Sequence, residues 1–160
     1  AYAAGDVVGG ALFTHTASAM GQVAGRNAVS DKGSGGETYE PRIVPRVTFT
    51  DPEVASVGLT EAAARQAGLK VQVGFSPLRD AEKAVIDGQS IGHVKVVADG
   101  AGRLQGCHIV AESAGDMIHE AVAMMAGGVP IREVAATMHA YPTLSELMRS
   151  ACSQLAADAN

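Results

Sequence analysis

Apolar positions along the chain change their spacing at a few points, and each change marks an element. Ala1-Tyr2-Ala3-Ala4 is apolar throughout and predicts a buried strand that ends at the turn Gly5-Asp6. From Thr16 to Asn27 the residues are small, with Met20 and Val23 on one face of a predicted helix. Ser30 to Gly36 is rich in Gly, Ser and charge, which predicts a flexible break. From Pro41 onward a second, self-contained pattern begins. Ile43 to Thr50 predicts a strand, with Pro45 placing it at a sheet edge or a strand start. Thr60 is the predicted cap of a short helix, Glu61 to Ala67, that Gly68 ends. Lys70 to Val73 predicts a short strand. Ile91 to Val97 and Leu104 to Val110 predict two more, joined as a hairpin through Asp99-Gly100.

The rest of the chain is helical in period. Ser113 with Asp116 has the spacing of a capping box and opens a predicted helix that runs to about Ala126 and stops at Gly127-Gly128. Pro130 falls at the predicted first position of a short helix, Ile131 to Met138. Thr143 with Glu146 is a further capping-box pattern, and Leu144, Leu147, Met148, Ala151 and Leu155 follow at helical spacing. Strands precede helices, so the predicted class is α+β: an antiparallel sheet with helices on one face. The predicted organisation is residues 1–29, a linker at 30–40, and a domain at 41–160.

Composition narrows the function classes. With 47% hydrophobic and 18% charged residues among 160, the chain can bury a core and is not a disordered tail. A net charge of −5 offers no basic footprint for nucleic acid. No apolar run approaches the roughly 20 residues a bilayer span needs, and the N-terminus lacks the pattern of a secretory signal, so a cytoplasmic protein is expected. The first residue is not Met and opens directly into an apolar run, so the chain is read as a fragment of a longer one. Cys107 and Cys152 are the only cysteines; they form no CxxC or CxxxxC pair and are expected to be buried and inert. His93, His108 and His119 show no ligand spacing, and no metal site is expected.

Three stretches carry a family resemblance. Ala1-Tyr2-Ala3-Ala4-Gly5-Asp6-Val7 with Leu12-Phe13-Thr14-His15-Thr16-Ala17 resembles the second FAD-binding motif of the flavin-dependent pyridine nucleotide–disulfide oxidoreductases, which include lipoamide dehydrogenases and mercuric reductases. Val47 to Glu61, then Gly92 to Val96, Leu104 to Val110 and Ala114 to Glu120, resemble that family's dimerisation domain. His139-Ala140-Tyr141-Pro142-Thr143-Leu144-Ser145-Glu146 resembles the segment that enters the partner subunit's active site. In lipoamide-type members a His precedes the Pro and pairs with the Glu; here Tyr141 stands in its place, which is closer to mercuric reductases and soluble transhydrogenases.

The resemblance implies that Gly5, Asp6, Thr14, His15, Thr16 and Ala17 contact FAD, with Asp6 accepting hydrogen bonds from the ribityl chain and the helix start facing the flavin ring. It implies that Tyr141 and Glu146 approach the site of the other subunit in a homodimer acting on a disulfide or other small acceptor with NAD(P)H. It also implies that the family's GxGxxG motif and CxxxxC dithiol, neither of which occurs here, lie upstream. A vicinal Cys pair like that at a mercuric reductase C-terminus is missing from the final residues, Ala156 to Asn160. Tyr has a reference pKa near 10 against about 6.5 for His, so Tyr141 suits hydrogen-bond donation better than proton shuttling. The rival reading is a dimerisation module with no activity of its own. Met117, Met124, Met125, Met138 and Met148 on the helices favour self-association in either case.

Overall fold

The structure is a computed structural model describing residues 1–30, 36–41 and 43–157. Most of the break predicted at Ser30 to Gly36 (residues 31–35) and the final residues 158–160 lie outside the described residues. The chain forms two compact units, Ala1–Val44 and Pro45–Asn160.

In the first unit a 3₁₀ turn at Asp6–Val8 is followed by helix α1, Thr14–Val29. The helix starts two residues earlier and ends two later than its apolar stripe predicts. Its start is built by Thr16, whose hydroxyl oxygen accepts from the Phe13 N–H at 3.2 Å and lies 2.7 Å from the carbonyl oxygens of both Ala11 and Phe13, between which its one proton is shared. The strand predicted at Ala1–Ala4 does not form: Ala1 to Ala3 are exposed and pair with no strand. A strand exists only through hydrogen bonds to another strand, and no other strand is found among the described residues of this unit.

The second unit contains a five-stranded antiparallel sheet in the order β1-β2-β5-β4-β3. The strands are β1 (Arg46–Thr48), β2 (Glu53–Gly58), β3 (Gln72–Pro77), β4 (His93–Ala98) and β5 (Leu104–Ala111). β1 is shorter than predicted and sits at one edge, where Pro45 costs no ladder bond. β3 begins later and runs longer than predicted, because its pairing with β4 from Gln72↔Ala98 to Pro77↔His93 sets its extent. The β4–β5 turn is held by Asp99. Its carboxylate accepts from the N–H groups of Ala101 (2.9 Å) and Arg103 (3.0 Å) and from the side chains of Arg103 and Gln105.

One parity of the sheet is core. Val57, Cys107 and Val96 stand opposite one another across three strands, as do Ala55, Ile109 and Val94, and all six are buried. Helix α4 (Ala114–Gly127) covers β2 and β5 with Ile118, Ala121 and Met124. Helix α6 (Glu146–Ala157) covers β3 and β4 with Leu147, Met148, Ala151, Cys152 and Leu155, and helix α5 (Ile131–Ala136) packs on α6. Pro130 is the N-cap of α5 rather than its first helical residue.

Helix ends show which local patterns are used. Thr60 caps α2 (Glu61–Gln66) by accepting from the Ala63 N–H at 3.1 Å. Gly128, at φ 63°, ends α4 in the left-handed conformation, and the Val129 N–H reaches the Met124 carbonyl at 2.9 Å. The box predicted at Ser113 does not form, since its side chain makes no cap bond. A carboxylate from the neighbouring strand takes that place: Glu53 Oε2 accepts from the Gly115 N–H at 2.8 Å.

Burial pushes the Cys107 thiol well up, reinforced by Cys152 and Glu120, and pushes Cys152 up to about 12, reinforced by Glu120. Neither forms much thiolate near neutral pH, and the thiolate is the reactive form. At pH 8 an aromatic disulfide reagent is therefore expected to leave both untouched in the native chain and to titrate both after unfolding in guanidinium. A thiol that reacts in the native chain as fast as free cysteine would contradict this burial.

Candidate functional site

Tyr141 and Glu146 lie on a segment that leaves α5 and enters α6. Pro142 favours an extended Tyr141, and three short bonds hold the turn. The Thr143 hydroxyl donates to the Ala140 carbonyl at 2.7 Å, Glu146 Oε2 accepts from the Thr143 N–H at 3.2 Å, and the Glu146 N–H reaches the Thr143 carbonyl at 3.4 Å. The predicted capping box is thus half made: the Glu arm reaches back, while the Thr hydroxyl turns to Ala140 and α6 begins at Glu146. Leu147 and Met148, next in the chain, are buried and anchor the turn to the sheet.

The result is a fixed backbone carrying an open side chain. Tyr141 is 65% exposed. It borders a cleft of about 220 Å³ together with Ser76, Asp80, Glu82, Glu146 and Arg149. Three carboxylates against one guanidinium give this cleft an acidic wall. Ser76 comes from β3, while Asp80 and Glu82 come from a 3₁₀ turn (Leu78–Asp80) and helix α3 (Glu82–Ile86), a stretch for which the sequence pattern predicts no element. Arg149 and Ser150 were legible in principle, since they follow Glu146 at helical spacing. Asp80 and Glu82 were not, because only tertiary packing brings them to the segment.

His139, first residue of the segment, acquires a partner from α4. Its Nε2 lies 2.9 Å from Glu120 Oε1 and its Nδ1 lies 3.1 Å from the Thr137 carbonyl oxygen. Two of the other histidines singled out above have partners of their own. His93 stacks on Phe75 at 4.9 Å, and His108 Nε2 lies 3.1 Å from the Leu59 carbonyl oxygen. Among the described residues no group of three His, Cys, Asp or Glu side chains is placed to hold a metal ion.

The second predicted set lies in the first unit. Gly5 has φ 82°, a conformation a side chain rarely adopts, and it packs on α1: a Cβ there would sit 3.5 Å from Ala17 Cβ, and its N–H lies 3.3 Å from Met20 Sδ. The structure therefore brings Gly5 and Ala17 together. Asp6, next to Gly5, is exposed. The N–H groups of Thr14, His15 and Thr16 precede the first intrahelical bond, which runs from the Ala17 N–H to the Phe13 carbonyl. The Thr16 side chain is buried in its own loop, and the His15 ring stacks on Phe13 at 5.2 Å. An exposed carboxylate, a glycine without side-chain bulk and a helix N-terminus suit hydroxyl groups and partial negative charge. These residues therefore fit one wall of a flavin site.

No helix among the described residues is long and apolar enough to cross a membrane. Residues 44–152 match the family described as pyridine nucleotide-disulphide oxidoreductase, dimerisation domain. The chain is 42% identical over 151 residues to a dihydrolipoyl dehydrogenase from Chlorobaculum tepidum, covering 94% of this chain and 32% of that one. It is 36% identical over 151 residues to a mercuric reductase from Bacillus cereus, covering 94% of this chain and 24% of that one. The crystal structure of LpdA from Mycobacterium tuberculosis superposes with a TM-score of 0.85 at 28% identity, over 96% of this chain and 33% of that one. The chain thus spans about a quarter to a third of the length of these relatives.

Proposed function

Because the chain belongs to the pyridine nucleotide-disulphide oxidoreductase family, matching its dimerisation domain, we propose that it is the C-terminal part of an FAD-dependent NAD(P)H oxidoreductase. Residues 45–157 form its homodimer contact, and Tyr141 and Glu146 face the reaction centre of the partner subunit. The carrying observation is the Tyr141 segment: a backbone fixed by Thr143 and Glu146 and anchored by Leu147, with its aromatic side chain left 65% exposed. Ordering a side chain costs entropy, so an ordered lead-in to an uncovered phenol suits a group that meets something outside this chain.

In this reading FAD, when bound, carries electrons between nicotinamide and acceptor. Asp6 would accept hydrogen bonds from its hydroxyl groups, Gly5 would leave room beside it, and the α1 N-terminus with Thr14, His15, Thr16 and Ala17 would offer backbone N–H groups to its partial negative charge. Tyr141 donates one hydrogen bond to the acceptor. Glu146, whose carboxylate already accepts from the Thr143 N–H, keeps the segment in place rather than moving protons. The acidic wall of Asp80, Glu82 and Glu146 disfavours anionic acceptors. The rival reading, a dimerisation module inactive by itself, holds for these residues in isolation.

The test uses the whole protein. It is expected to purify as a yellow FAD-containing dimer by analytical ultracentrifugation and to oxidise NAD(P)H with oxidised lipoamide or mercuric ion. Tyr141→Phe is expected to lower turnover by about tenfold or less, because one hydrogen bond contributes about 0.5–1.5 kcal/mol. A flavin-free monomer, or full turnover in Tyr141→Phe with every active acceptor, would remove the proposal.

A further inference from the structure

The cleft beside Tyr141 is bordered by a buried polar group with nothing to bond. Ser76 is 1% exposed, and its hydroxyl meets no hydrogen-bond partner among the described residues. It stands in β3 opposite Val94, in the row that continues through Ile109 and Ala55, all three of them buried. Ser76 is therefore a polar side chain on the core face of the sheet. A buried hydroxyl without a partner costs free energy, and a ligand atom in the cleft would remove that cost.

The walls set the charge of that ligand. Glu82 and Glu146 pair with no cation among the described residues, and Asp80 has only Arg79, at 4.0 Å. One Glu146 oxygen takes the Thr143 N–H, and the other has no partner among the described residues. Arg149 borders the cleft but is exposed and pairs with none of the three carboxylates. Water would bond Ser76 too, but it brings no charge to the carboxylates. Among the described residues no three His, Cys, Asp or Glu side chains are placed to hold a metal ion, so a bare ion does not suit the cleft. An ammonium does: it has three N–H donors and no acceptor, and can bond a hydroxyl and carboxylates at once. Buried Ala81 and Leu147 also line the cleft and offer an apolar bed to a methylene stem. The Tyr141 ring borders the same space, and an aromatic face attracts a cation. A volume of about 220 Å³ suits an aminoalkyl arm rather than a folded partner.

We propose that this cleft is a subsite for a primary ammonium group on a short alkyl stem, held by the Ser76 hydroxyl and the carboxylates of Glu82 and Glu146. The acceptor is then an amine-bearing one, whose cationic arm enters the cleft while its reacting end meets Tyr141. That assignment of acceptor class rests on the role of Tyr141 proposed above; the binding of an ammonium does not.

The test has two arms. In the first, the full chain labelled with 3-fluorotyrosine is titrated with butylammonium chloride at low ionic strength. The Tyr141 fluorine signal, assigned through Tyr141→Phe, is followed by nuclear magnetic resonance. A saturable shift is expected, and none with butanol, which has the stem without the charge. Ser76→Ala is expected to weaken binding by about two- to tenfold, the loss of one hydrogen bond. Glu82→Gln is expected to weaken it by about two- to fivefold, the loss of one exposed ion contact. Asp51→Asn, which removes a carboxylate outside the cleft, is expected to leave the titration as it was. The proposal is overturned by the absence of a saturable shift, by an equal shift with butanol, or by binding that neither Ser76→Ala nor Glu82→Gln weakens. Glu82 is exposed, so its variant decides even if Ser76→Ala fails to fold.

In the second arm the whole protein is offered disulfides, NAD(P)H and one proton splitting each into two thiols. Cystamine, with an ammonium on each half, is expected to have a KM about two- to fivefold below that of bis(2-hydroxyethyl) disulfide. Glu82→Gln is expected to bring the two KM values together. Equal KM values in the unaltered protein, or a ratio that Glu82→Gln leaves unmoved, overturn the acceptor class. So does a protein that turns over lipoamide or mercuric ion but neither of these disulfides. A protein that oxidises NAD(P)H with no acceptor fails the function proposed above, and the titration alone then decides the subsite.

Discussion

Gly74→Ala is expected to destabilise the second unit by about 3 kcal/mol, at the upper end of what forcing extra volume into a packed interior typically costs. Gly74 lies in β3 where α6 crosses it. A Cβ at this position would fall far inside contact distance of the Ala151 carbonyl oxygen and close to the Val96 side chain. The obstacle is backbone, which cannot rotate away as a side chain can. Either α6 lifts from the sheet or β3 bends, and both expose Leu147, Met148 and Ala151. For a unit of this size a loss of that order lowers Tm by roughly 10 °C. Gly88→Ala is the control. Its φ of 72° is unsuited to a side chain, a strain Gly74 does not share, but nothing lies within 4 Å, so only a backbone term of about 1–2 kcal/mol applies. Paired thermal melts decide: equal losses at the two positions would mean that the helix does not sit so close to the strand.

Leu147→Ala is expected to cost about 2–5 kcal/mol, the usual range for emptying a buried Leu site. Its second effect is local. Leu147 is 2% exposed, lines the cleft beside Tyr141 and follows Glu146 directly, so it is the anchor through which the core holds the segment. Truncation leaves the Glu146–Thr143 contact with less support. The Tyr141 side chain should gain mobility even at temperatures where the unit stays folded. Chemical denaturation gives the first quantity and the linewidth of a fluorinated Tyr141 gives the second. A loss under about 1 kcal/mol, or an unchanged Tyr141 linewidth in a destabilised unit, would show that another residue anchors the turn.

The local signals in the sequence and the contacts in the structure divide along a physical line. Thr60 was legible as a cap because its partner, the Ala63 N–H, lies three residues on. The stop at Gly127-Gly128 and the hairpin at Asp99 were legible for the same reason, each closing through bonds that span a few residues. The segment at Tyr141 could be located because Pro142, Thr143 and Glu146 constrain one another. Ser113 shows the limit. Its spacing to Asp116 satisfies the local rule, yet the bond is made by Glu53, which no local pattern can nominate. Ala1 to Ala4 shows the same limit for strands, where an apolar run is permission to pair and not a partner.

By itself, then, the sequence determined the α+β class, the spans of the long helices, the two-part organisation as an expectation, and the family through motifs that are contiguous in the chain. These rest on hydrophobic period and short-range hydrogen bonding, which neighbouring residues carry completely. Only the tertiary structure decided the strand order β1-β2-β5-β4-β3, the acidic wall of Asp80 and Glu82 beside Tyr141, and the meeting of His139 with Glu120. Each of these is a contact between residues far apart in sequence. It forms because burying one face of the sheet under α4 and α6 leaves few arrangements that fill the core, and that sum over the whole unit is not written in any one stretch of it.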